Sequence, residues 1–131
     1  MRYYYLDPVT RDVCVVPGDD PITWALLRAD PLADIVKQTP VGPFWVSTVF
    51  LGLDYGYSFL GGPSLFFETM VFEQEISVIG AGPAAGSRYH ASLDLDDEIG
   101  QQRYCTYREA LRGHGRVCRA VRRYVGEEMT R

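Results

Sequence analysis

The chain has 131 residues, of which 47% are hydrophobic and 23% charged, with a formal net charge of -4. That is the make-up of one folded domain able to bury a core without cross-links, and it excludes wholesale disorder. The charge is uneven: residues 1–102 carry five basic and fourteen acidic groups, while residues 103–131 carry eight Arg and three Glu. Most of the molecule would therefore repel nucleic acid, and an anionic partner is expected at one end only.

Residues 2–6 and 12–16 read as two strands of a hairpin around the Asp7-Pro8-Val9-Thr10 turn. Asp20 is placed to cap a short helix over 21–29, with Pro21 at its first position. Its inward residues are expected to be Trp24, Leu27 and Leu26, and Asp30-Pro31 stops it. A strand near 33–39 follows, then a Pro-Gly-rich turn at 40–43. The segment 44–53 is aromatic, β-branched and apolar on both faces, which places it in the middle of a sheet. Residues 54–64 form a Gly- and Tyr-rich loop, and 65–73 a second central strand extending towards 79. The stretch 80–100, small and then acidic, reads as a long mobile loop.

A short strand at 103–105 leads into the clearest local signal, the capping box Thr106-x-x-Glu109. The helix it opens runs to about Val125, where Gly126 is placed to end it. Its apolar stripe is Tyr107, Ala110/Leu111, His114, Val117/Cys118, Val121 and Tyr124/Val125. The expected fold is α+β: an antiparallel sheet of about five strands, this amphipathic helix across one face, and the short first helix at an edge or on the same face.

The segments Ser47-Thr48-Val49-Phe50-Leu51-Gly52-Leu53-Asp54, Leu65 to Phe72, Arg103-Tyr104-Cys105-Thr106, Glu109-Ala110 and Gly113-His114 stand out together. In them the chain resembles a family of short, uncharacterised proteins of actinobacteria and the phages that infect them. The segments cover about a quarter of the chain in the family's order. The resemblance brings no activity with it. Tyr55 stands where the family commonly has His, and residues 74–102 are a long insertion in this chain.

Candidate site residues come from polar groups in apolar surroundings. Glu68 sits inside an apolar strand, as a pocket carboxylate or as half of an ion pair with an Arg of the last helix. His114 lies on the apolar stripe between Gly113 and Gly115, as an acid–base imidazole or as a hydrogen-bonded core histidine. Asp54 and Tyr55 open the Gly-rich loop, which lacks the spacing and Lys of a phosphate loop. Arg112, Arg116 and Arg119, with Arg108, Arg122 and Arg123, form an Arg face opposite the stripe: a solvated surface, an anion site, a dock for an acidic protein or, the weakest reading, a contact for RNA.

No metal-ligand spacing is present, and no cofactor is expected. Cys105 at the helix start is read as an inert thiol rather than a nucleophile. Cys14, Cys105 and Cys118 contain no CxxC, and the N-terminus no apolar signal core, so free thiols in the cytoplasm are expected, without a membrane span. The leading expectation is a non-enzymatic binding protein of phage or mobile-element type. It would antagonise host defence by sequestering an anionic, nucleotide-derived small ligand. The alternatives are an inhibitor that docks on an acidic host protein, and a small hydrolase using Glu68 and His114. Self-association into a homo-oligomer is left open.

Overall fold

The computed structural model describes residues 2–56, 58–73, 88–89 and 102–129. Strands β1 (Tyr4–Leu6) and β2 (Val13–Val15) pair antiparallel as the expected hairpin, a two-stranded sheet of its own. Asp7 holds their turn, its Oδ1 accepting from the amides of Val9 and Thr10 at 2.8 Å each.

Helix α1 (Pro21–Leu27) starts where expected, with the Asp20 carboxylate accepting from Ile22 N. It is anchored to the hairpin by Trp24, whose Nε1 donates to Tyr4 O at 2.9 Å. Arg28 stacks over the Trp24 ring and pairs with Asp34 at 2.8 Å. Leu26 and Leu27 do not point inward: they are 72% and 44% exposed. The helix is too short to present a second row, so the position taken by Trp24 fixes its inner side. It also rests on β1 rather than on the large sheet.

The large sheet is antiparallel and runs β3 (Ile35–Val41), β4 (Phe44–Phe50), β5 (Phe67–Glu73), then β6 (Arg88–Tyr89) and β7 (Gln102–Tyr104), both on the far side of β5. The β3–β4 connection is tighter than the expected 40–43 turn. Val41 pairs with Phe44 across Gly42-Pro43, with Gly42 at φ 57°, which a two-residue hairpin demands at that position. Pro40 is tolerated because β3 is an edge strand. The segment expected as one long loop contains β6, since Arg88 and Tyr89 pair with Glu73 and Phe72 of β5. Once β5 extends to Glu73, its edge there offers ladder groups that a further strand can pair with. The expected extension to 79 and the rest of 80–100 lie outside the described residues.

Helix α2 (Tyr107–Met129) crosses β3, β4, β5 and β7 on one face of this sheet. Its cap is half of the expected box: Glu109 N donates to Thr106 Oγ1 at 3.1 Å, but the returning bond to Glu109 Oε2, 3.2 Å, comes from Cys105 N, one residue before the cap. It continues past Gly126, because glycine lowers helix propensity but stops a helix only where a left-handed cap closes it. Leu111 lies off the buried stripe, 40% exposed.

Two apolar clusters fill the space between helix and sheet. One joins Val41, Phe44, Val46 and Val71 to Val117, Cys118, Ala120 and Val121. The other joins Leu6 of the hairpin to Phe50, Phe66, Phe67, Tyr104 and Ala110. Among the described residues no helix is long and apolar enough to cross a membrane.

Candidate functional site

Between the two apolar clusters runs a polar band. Thr39, Thr48 and Thr69 stand on β3, β4 and β5, and His114 descends on them from α2. The imidazole is 1% exposed. Its Nε2 lies 2.8 Å from Thr39 Oγ1 and its Nδ1 2.7 Å from Thr48 Oγ1, and Thr48 Oγ1 lies 2.5 Å from Thr69 Oγ1. A neutral imidazole offers one donor and one acceptor, and a hydroxyl can take either role, so the chain closes in either direction. Burial, helped by the positive charge of Lys37, pulls His114 down to about 4, and the ring is neutral at ordinary pH.

Tyr104, the β7 neighbour of Phe67, ends the band. Its Oη is buried without a well-formed hydrogen bond among the described residues, and burial pushes its phenol up against the opposing pull of Thr69 and Arg116. Gly113 makes room for it: a Cβ there would collide with the Tyr104 ring. Gly115 has no such neighbour, since its nearest heavy atom would be an Arg119 nitrogen at 3.4 Å.

Successive residues of a strand face opposite ways. With Thr69 under the helix, Glu68 belongs to the other side of the sheet. It is 6% exposed, and its Oε2 accepts from Arg103 Nε at 2.7 Å. The partner expected from the last helix therefore comes from β7, directly across the ladder from Glu68. Glu68 and His114 are separated by the sheet and form no acid–base pair. Arg103 also lies over the Tyr55 ring, 5.3 Å from its centroid.

Asp54 organises the loop it opens. Its Oδ1 accepts from Gly56 N at 2.8 Å and Leu65 N at 2.9 Å, and its Oδ2 from Ser58 Oγ at 2.5 Å. Partial burial opposes ionisation, but the Ser58, Leu65 and Gly56 bonds together outweigh it and hold the carboxyl below the usual range. Beside this loop is a cleft of about 470 Å³ lined by Arg2, Tyr4, Leu53, Asp54, Tyr55 and Ser58 among others. A second hollow, about 650 Å³, lies where the β1–β2 turn meets the start of α2. Its Arg11 is engaged over the Tyr107 ring and with Ile35 O. There the Cys105 thiol is pushed up by burial and by the charges of Glu109 and Asp54, so it has no thiolate character.

Arg112, Arg116 and Arg119 stand on the solvent side of α2 with Arg108, Arg122 and Arg123, all exposed. The residues singled out in the sequence thus occupy four places: the helix surface, the buried band, the far side of the sheet and the cleft. Asp54, Tyr55 and, through Arg103, Glu68 are brought together; His114 and the Arg face are separate from them. The sequence reading missed Arg2, Tyr4 and Arg103 as neighbours of this loop, and Thr39, Thr48 and Thr69 as partners of His114. Threonines at helix-facing positions of apolar strands were the available signal for the latter. Among the described residues no three His, Cys, Asp or Glu side chains form a metal-ligand group. Compared with family models, with curated proteins and with solved structures, the chain finds no match in any of the three.

Proposed function

We propose that the protein is a non-enzymatic binding protein that docks an acidic surface of another protein on the arginine face of α2. One observation carries this. Between Glu109 and Glu127 the helix has no acidic residue, and its outer side holds six arginines. Of these, Arg108, Arg112, Arg116, Arg119 and Arg122 have no hydrogen bond or ion pair among the described residues. From Arg108 to Arg123 the stripe spans about 22 Å at the helical rise. That length suits an extended acidic surface better than a small molecule, and Leu111 supplies an apolar contact near its start. Like charges three and four residues apart weaken a helix, so a row this unrelieved has a stability cost that binding would offset.

The polar groups that could do chemistry are committed elsewhere: His114 to threonines, Glu68 to Arg103, Asp54 to its own loop. The resemblance to proteins of actinobacteria and their phages supports a setting in which the partner is a host protein. Docking without chemistry supports antagonism of host defence by blocking.

The test uses a labelled helical peptide with Glu repeated at every fourth position, and duplex DNA of equal length. The wild-type chain should bind the peptide, more weakly as salt rises. Arg112→Glu with Arg116→Glu should weaken binding at least about tenfold, with no loss of stability, since it relieves like-charge pairs along the row. Equal binding by the reversed variant, or tighter binding of DNA than of peptide, would sink the reading.

A further inference from the structure

We infer that the cleft between β1 and the Asp54 loop is a second, independent binding site, for a small molecule that joins a planar ring to an anionic group. Its volume, about 470 Å³, lies in the range of small-ligand sites. Its lining includes the aromatic and aliphatic side chains of Tyr4, Leu53 and Tyr55, the last 48% exposed. At its rim stands Arg2, which has no hydrogen bond or ion pair among the described residues.

The walls are fixed before any ligand arrives. Tyr4 packs on Phe66 with ring centroids 4.6 Å apart, its amide donates to Gly52 O at 3.0 Å, and its carbonyl takes the Trp24 Nε1 bond. Tyr55 N donates to Leu65 O at 2.9 Å, and a side chain at Gly56 would strike the Pro63 carbonyl, so the loop is closed tightly on itself. Behind Tyr55, the Arg103 guanidinium is held by Glu68. That leaves Tyr55 the side away from Arg103 for stacking.

Charge selects the second part of the ligand. The Asp54 carboxylate is turned to three donors of its own loop, and Glu68 and Arg103 neutralise each other. Of the two charged side chains that line the cleft, Asp54 is held by these neutral donors, and Arg2 has neither a hydrogen bond nor an ion pair among the described residues. A guanidinium beside an aromatic wall recognises a phosphate or carboxylate attached to a ring that stacks.

Adenosine 5′-monophosphate, benzoate, adenosine and inorganic phosphate serve as probes, titrated by calorimetry. Saturable binding of the monophosphate or of benzoate is expected, the stronger of the two identifying phosphate or carboxylate. Adenosine alone and phosphate alone should bind at least about tenfold more weakly, each having half of the determinants. Arg2→Gln and Tyr55→Ala should each cost at least about tenfold, and Arg112→Glu with Arg116→Glu should leave the titration unchanged. Arg2 is exposed, so its variant tests the site without threatening the fold. The inference is overturned if neither ringed anion saturates, if free phosphate binds as well as either, or if Arg2→Gln binds like wild type. It is also overturned if binding disappears with the helix arginines, because the charge would then lie on α2.

Discussion

The two sides of α2 handle charge in opposite ways. Towards the sheet, the helix places Ala110, Val117 and Val121 in apolar clusters, and the His114 ring there is kept neutral between two threonine hydroxyls. Towards solvent, it repeats arginine with nothing acidic between Glu109 and Glu127. The inner side gains stability from buried apolar contacts and from the hydroxyls that satisfy His114. The outer side leaves groups unmatched and gives up a little stability. Substitutions on the two sides should therefore differ in size and in sign.

The largest effect belongs to His114. The ordinary histidine value of 6.5 is lowered to about 4 in the folded chain. Between those values the unfolded chain binds the proton and the folded chain does not, so stability rises with pH across that window. The contribution is fully present above 6.5 and is lost as pH falls towards 4, a change of about 3 kcal/mol. His114→Gln removes the titration while keeping polar atoms in place. Urea titrations of both proteins from pH 7.5 to 4 should show the wild type more stable at neutral pH, the gap narrowing as the solution is acidified. A constant gap would mean that the ring is reached by water and that the inner side is not sealed.

The glycines flanking His114 sharpen the contrast over two residues. Gly113→Ala forces a methyl into the Tyr104 ring and should cost about 2 kcal/mol, as overpacked cores do. Gly115→Ala meets only the end of a flexible arginine and should gain up to about 1 kcal/mol from helix propensity. Thermal melts that moved the same way for both would mean that the helix sits higher above β7. Thr106→Ala, at the end both sides share, should cost about 1 kcal/mol through loss of the Glu109 amide's acceptor. A neutral denaturant titration would show that water replaces the cap.

Local pattern made much of this legible. The hairpin, the central strands, α1's cap and the Thr106 cap of α2 follow from periodicities of two and 3.6 and from side chains that bond to nearby backbone. Glu68 and His114 were recognisable as polar residues in apolar company. Their partners were not, because Arg103 and Thr39 are brought to them by strand register, which depends on contacts distant in sequence. Alternation along β5 separates Glu68 from Thr69 in the sequence itself, but which of the two faces the helix covers depends on packing that sequence order does not reveal. Gly126 and Leu26 misled because a residue's propensity says nothing of which neighbour the tertiary structure supplies.

The smallest effect tests the outer side. Arg112 and Arg116 are four residues apart, and each has a further arginine within three or four residues along the row. Replacing both by Gln keeps helix propensity and removes like-charge repulsion in three pairs: 108–112, 112–116 and 116–119. Each such pair weakens a helix by about 0.2–0.5 kcal/mol at low salt. The double variant should therefore melt slightly higher than wild type in dilute buffer, the difference vanishing as salt screens the pairs. Binding of the Glu-rich peptide should fall at the same time. A gain in stability joined to a loss of binding is expected of charges kept for a partner. If the variant melts lower at every ionic strength, the arginines are paired with acidic groups of the chain itself, and the outer side of α2 follows the same rule as the inner.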